Sequence, residues 1–188
     1  MVDKRRRRNS RQAVLTAAET IVAESGTASL TMDAVALTTG IGKGGVLYHF
    51  PFKSDLLKAL LAIQCEKFER GLDHLAESKG GGVRAWLEGM IELGVNAPYP
   101  KDRLGVEIFA ATASDPDLHE PTSEYFLRRA ARIWQSCDNP GLALVIGLAV
   151  DSLISFTALS APPIDERSRD AVRFALLQLL DQIEPCPR

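Results

Sequence analysis

Along nearly the whole chain, apolar residues return every three or four positions and nowhere sustain an every-other-residue alternation. That period builds helices and leaves no strand. An early case is Val14, Ala17, Ala18, Ile21 and Val22, which form one stripe on one helix face. Asn9 or Ser10 is placed to cap this helix, with Gln12 three residues after Asn9, and Gly26 stops it. Thr31 caps a second, short helix with Asp33 in its first turn and Met32, Val35 and Ala36 inward. Thr39-Gly40 closes that helix, and Ile41 can plug the core beneath the turn. A third short helix over 42–49 points Val46 and Phe50 inward, four residues apart, and Pro51 ends it.

A fourth helix over 54–79, with Ser54 as its cap, carries Leu56, Leu57, Leu60, Leu61, Phe68, Leu72 and Leu75 at near-helical spacing. Gly80-Gly81-Gly82 breaks it. Five more helices are expected at 83–96, 102–113, 120–136, 141–160 and 166–183. Pro98, Pro100, Pro116, Pro140, Pro162 and Pro163 are expected in the gaps, and Pro121 in a first turn. The predicted fold is all-α: about nine helices, a three-helix N-terminal domain over 1–52 and a larger helical domain over 53–188. The last two helices are apolar over wide arcs, as in Leu142-Ala143-Leu144-Val145-Ile146 and Phe174-Ala175-Leu176-Leu177. Each needs more than one packing partner, which an intermolecular bundle would supply.

Composition narrows the class. With 46% hydrophobic and 24% charged residues, the chain is too apolar for a disordered tail. The net charge of −2 conceals an asymmetry. Residues 1–53 hold 8 Lys/Arg against 4 Asp/Glu, and residues 54–188 hold 14 against 20. A basic front on an acidic body has one part that seeks polyanions. Cys65, Cys137 and Cys186 are scattered, with neither disulfide-framework nor metal spacing, and read as reduced thiols. The basic run Lys4–Arg8 is followed by a stretch broken by Thr16, Glu19 and Thr20, so no secretory core follows. The most apolar segment, 141–161, carries Asp151, Ser152, Ser155 and Thr157 and reads as a buried helix rather than a membrane span. The expected location is the cytoplasm.

Two short helices joined by Thr39-Gly40-Ile41 match a helix-turn-helix, whose second helix lies in the DNA major groove. Lys43 offers an ammonium at the start of that helix, and Gly44 and Gly45 remove side chains where the backbone would approach DNA. Tyr48 and His49 add a hydroxyl and an imidazole, and Lys53 a charge at the next helix start, all three expected to contact phosphates. The Thr31 hydroxyl and the N–H groups of its helix start can receive a phosphate. Arg5, Arg6, Arg7 and Arg8 form an arm able to follow phosphates or enter a minor groove, or simply to remain a solvated tail.

The run Thr31-Met32-Asp33-Ala34-Val35-Ala36, followed by Gly40-Ile41-Gly42-Lys43-Gly44-Gly45-Val46-Leu47-Tyr48-His49-Phe50-Pro51-Phe52-Lys53-Ser54-Asp55-Leu56-Leu57, resembles the N-terminal signature of the tetracycline-repressor family of bacterial transcription regulators. The resemblance covers about residues 10–60. It implies a homodimeric repressor, paired through the eighth and ninth helices, that a small molecule bound in the C-terminal domain releases from a palindromic operator. Gly42 stands where the family often has Ser, and Leu47 where many members have a second aromatic. By the same analogy Phe68, Trp86, Met90, Phe109 and Trp134 are candidates for lining the ligand cavity, although such residues at helical spacing are also ordinary core.

Competing motifs are weaker. Gly40-x-Gly42-x-x-Gly45 spells a dinucleotide fingerprint, but helical patterning precedes it where a strand is required. Asp115-x-Asp117-x-His119 with Glu120 reads as loop polarity and capping rather than a metal site. No nucleophile–base set or placed carboxylate pair stands out, so neither catalysis nor a cofactor is expected. The alternatives are a helical small-molecule-binding protein or enzyme with a vestigial helix-turn-helix, and an architectural DNA binder without an inducer.

Overall fold

The computed structural model describes residues 2–96, 103–158 and 165–184. Within these, side chains at 2–6, 96, 103, 109, 113–114 and 156–158 lie outside the description. The described chain is helical and contains no strand. Its helices are α1 (Val2–Ser25), α2 (Met32–Thr39), α3 (Lys43–His49), α4 (Lys53–Ser78), α5 (Gly82–Asn96), α6 (Arg103–Ser114), α7 (His119–Ser136), α8 (Pro140–Ala158) and α9 (Glu166–Leu180). Short 3-10 turns lie at Thr27–Ser29 and Pro116–Leu118.

Some ends differ from expectation for physical reasons. Asn9 and Ser10 stand inside α1, which starts at Val2. Lys and Arg are good helix formers, so the basic arm extends the helix instead of preceding it as a tail. Ser54 does not cap α4; the helix begins at Lys53, and Asp55 Oδ2 reaches back to accept from the Phe52 N–H at 3.0 Å. Pro140 opens α8 rather than filling a gap, because its missing N–H is an orphan at a first position anyway.

The contacts divide the chain into two compact units. One is Met1–Gln64 with Asp102–Thr122, and the other is Cys65–Lys101 with Ser123–Arg188. The first unit thus gathers α6 and the beginning of α4 with the N-terminal helices. Its core is built from Val14, Ala18 and Val22 of α1, Leu30, Val35, Val46, Phe50, Leu56 and Leu60, joined by Leu104 and Ile108 of α6.

The second unit packs α5, α8 and α9 with the later parts of α4 and α7. Trp86, Leu87, Met90 and Ile91 of α5 fill its centre against Leu72, Ile133, Ile146, Val150, Leu176 and Leu180. Its one buried charge among the described residues, Arg129, is only 5% exposed. Both guanidinium nitrogens bond the Asp151 carboxylate, Nη1 to Oδ1 at 2.8 Å, and the group lies over the rings of Tyr125 and Phe126. Burial pushes the Tyr125 phenol up to about 12, partly opposed by this cation. Removing one member of such a pair strands the other charge in low dielectric. Asp151→Ala is therefore expected to cost about 3–5 kcal/mol in denaturant unfolding, and the double change Arg129→Met with Asp151→Leu to recover most of it. A single change that leaves the midpoint unmoved contradicts this.

Candidate nucleic-acid interface

The α2–turn–α3 unit is fixed by short-range chemistry. Thr31 Oγ1 accepts from the Ala34 N–H at 3.1 Å, so the hydroxyl caps α2 and keeps its own hydrogen available. Gly40 ends α2 at φ 68°, a left-handed turn that glycine makes without a Cβ clash. The turn is tied down by Thr39, whose Oγ1 donates to Val35 O at 2.8 Å and accepts from the Ile41 N–H at 3.1 Å. Val46 is fully buried and Phe50 nearly so, which seats α3 on the core.

Gly44, Leu47 and Tyr48 then share the outward face of α3 at i, i+3 and i+4. Tyr48 is 68% exposed. Its ring stands edge-on to His49, with centroids 5.2 Å apart. His49 is half-buried and hydrogen-bonds Ser10 Oγ of α1 through Nε2 at 2.8 Å, bracing the C-terminal end of α3.

Several residues singled out in the sequence have internal partners. Lys43 Nζ is paired with Asp33 of α2 at 2.9 Å, both side chains being largely exposed. Gly44 is open, with nothing among the described residues within 4 Å of the place of a Cβ. Gly45 differs: a Cβ there would stand 2.7 Å from Ile41 Cγ2, so this glycine lets the plug beneath the turn pack. Lys53 Nζ donates to Thr27 O at 2.6 Å. Arg7 and Arg8 are exposed on α1, while the side chains of Arg5 and Arg6 lie outside the described residues. Thr31, Lys43, Gly44 and Tyr48 thus all reach the surface of one small unit. The roles of Asp33 and Ser10 as partners carried no sequence signal, since they lie 10 and 39 residues from the groups they hold.

The described residues named for a ligand cavity divide between core and surface. Phe68, Trp86 and Met90 belong to the buried core of the second unit. Trp134 is 63% exposed on α7. The Phe109 side chain lies outside the described residues. Among the described residues the buried indole N–H of Trp86 has no hydrogen-bond partner, and the Arg132 guanidinium lies over its ring at 4.8 Å.

Asp115 caps its 3-10 turn by accepting from the Asp117 N–H at 3.0 Å, and His119 Nε2 lies 2.8 Å from Thr112 O. Among the described residues no cluster of three His, Cys, Asp or Glu could hold a metal ion. Burial pushes the Cys65 thiol up to about 11, away from reactivity, and Cys137 is buried; Cys186 lies outside the described residues. Among the described residues, no helix is long and apolar enough to cross a membrane.

Comparison with known proteins agrees with this geometry. Residues 14–60 match the model of bacterial regulatory proteins of the tetR family, and residues 80–181 that of the tetracyclin repressor-like C-terminal domain. No curated protein matches the chain in sequence. Among solved structures, the multidrug binding protein EbrR complexed with imidazole is 22% identical with a TM-score of 0.67, the alignment covering 95% of this chain and 96% of that one. SCO7518 from Streptomyces coelicolor A3(2) is 21% identical with a TM-score of 0.70, over 91% and 98%. The flavonoid-responsive regulator FrrA is 22% identical with a TM-score of 0.60, over 95% and 99%. At these identities the likeness concerns the fold. The two family models together span most of the chain, and the protein belongs to the tetR family of bacterial regulatory proteins, as a DNA-binding transcription regulator.

Proposed function

We propose that the chain is a homodimeric repressor that grips a near-palindromic operator in the cytoplasm and lets go when a small organic molecule binds its C-terminal domain. The observation that carries this reading is the outward face of α3, where Tyr48 stands exposed beside Lys43 and the bare backbone of Gly44. A surface of that kind has no use inside a folded unit and suits a wide groove. Residues 1–52 form the reading domain and 53–188 the ligand-binding and dimerisation domain.

Lys43 and the Gly44-Gly45 backbone lie nearest the bases, while Thr31, Tyr48 and His49 meet phosphates, with Arg5 to Arg8 along the backbone. Lys53 and Gly45 also act from within, by anchoring and shaping the head. Pairing uses α8 and α9, whose exposed apolar side chains include Val145, Leu148 and Phe174. Two α3 helices would then sit about 34–36 Å apart, one DNA turn, or at a related wider spacing. Ligand response is supported by relatives of the same fold that include a multidrug binding protein and a flavonoid-responsive regulator. Such a molecule shifts the equilibrium only by its differential affinity for the two states.

Selection of bound duplexes from a random library tests the reading. A two-armed, near-palindromic consensus, bound with an affinity that falls steeply with salt, is the expected result. Uniform binding to all duplexes would make the chain an architectural binder, and no binding at all would leave a helical small-molecule protein.

A further inference from the structure

The junction between α1 and α2 is held by charge on both sides. After α1 ends at Ser25, Gly26 takes φ 82°, and the turn Thr27–Ser29 begins with no capping side chain of its own. The cap comes from 80 residues further along: the Thr27 N–H donates to Glu107 Oε2 of α6 at 3.3 Å. The same carboxylate lies so close above Gly26 that a Cβ there would stand 3.0 Å from Oε2 and 3.3 Å from Cδ. Gly26 is buried, and its bare Cα is what admits the carboxylate. On the other side, Lys53 Nζ at the start of α4 donates to Thr27 O at 2.6 Å. One residue thus has an anion on its N–H and a cation on its carbonyl, both bonds partly buried.

What is fixed at Thr27 is fixed for the reading helix. Leu30, fully buried, follows the turn, Thr31 caps α2 immediately after it, and the Gly40 turn then sets α3. α6 also meets this unit through the buried apolar side chains of Leu104 and Ile108. Apolar contact is non-directional and tolerates sliding. A charge-assisted hydrogen bond is directional, and a displacement of about 1 Å breaks it.

We propose that Glu107 is a positioning residue for DNA binding: with Lys53 it clamps Thr27, sets the register of the reading head on α6, and passes displacements of α6 to α3. The clamp rests on the proposed DNA-binding reading for its consequence, though not for its geometry. It also assigns Lys53 a task other than touching phosphate.

The test uses the full chain and the duplex that the wild type selects. Glu107→Ala is expected to bind that duplex about tenfold more weakly. It should also discriminate less against a duplex with one base pair inserted at its centre, because a looser head tolerates a wrong spacing. Loss of stability alone would not change that ratio. Glu107→Gln keeps an acceptor in place and should restore most of both properties. Lys53→Met should weaken binding without changing the salt slope, whereas a lost phosphate contact lowers the slope by about one. Wild-type affinity and spacing discrimination in Glu107→Ala would overturn the clamp.

Backbone amide exchange at Thr27 reads the clamp without DNA. It should quicken in Glu107→Ala, and should Glu107→Ala fail to fold, in Glu107→Met, which keeps the length but not the acceptor; unchanged exchange overturns the proposal. A wild type that selects no duplex sinks the DNA-binding reading, and the exchange experiment still decides the clamp.

Discussion

A Leu148→Glu chain is expected to fold, to remain a single protomer at micromolar concentration, and to lose specific DNA binding by about a hundredfold or more. Leu148 is 63% exposed on α8, one turn from Val145 at 50%, with Phe174 of α9 exposed to 63% as well. No partner within the described residues covers these side chains. Leu148 is exposed but lines the same pocket as Arg129 and Asp151, so the fold of the variant is checked by circular dichroism beside the wild type. In a twofold interface the same residue appears twice, and burying two unpaired carboxylates costs several kcal/mol. Once single, the protein has one reading helix and forfeits the effective concentration that makes the second half-site cheap to occupy. Sedimentation and gel shift read both halves of the expectation. A dimeric Leu148→Glu chain with undiminished binding would move the interface elsewhere.

The second large effect is expected for Lys43→Ala combined with Tyr48→Ala, which should weaken operator binding about a hundredfold and lower the salt slope by about one. The ion pair between Lys43 and Asp33 does not argue against this. Both partners are largely exposed, and such pairs are worth about 0–1 kcal/mol. A base edge or phosphate in a partly dehydrated groove therefore outbids Asp33 for the ammonium. Tyr48 needs no rearrangement, because its ring already stands out of the unit. Far-ultraviolet circular dichroism should be unchanged, since neither side chain belongs to the core. Equal loss on selected and unrelated duplexes would mean that the pair supplies charge and contact but no sequence preference.

How much of this was readable from residues alone follows the range of the forces. The Thr31 cap, the Gly40 turn and the inward Val46 and Phe50 are set by neighbours within a few positions, and each appears where the pattern puts it. The N-terminal end of α1 was not readable, because a basic run can be either tail or helix and only the continuing backbone decides. Pairings across 10 to 80 residues, such as Lys43 with Asp33, His49 with Ser10 and Glu107 with Thr27, had no sequence signature. The ligand candidates mixed buried and exposed aromatics for a related reason. Trp86 and Trp134 look alike in a helical pattern, and only packing shows one at the centre and the other at the surface. The grouping of α6 with the N-terminal helices was equally hidden, since it depends on contacts made far along the chain.

In the proposed complex two copies of α3 enter successive major grooves of one duplex. Guanine N7 lies in that groove and nowhere else, so methylation interference on the selected duplex reads this placement. Two symmetric clusters of interfering guanines are expected, about one helical turn apart or at the wider spacing the consensus shows. Both clusters should vanish when Lys43 and Tyr48 are replaced by alanine. Binding indifferent to N7 methylation, or a single asymmetric cluster, would contradict it.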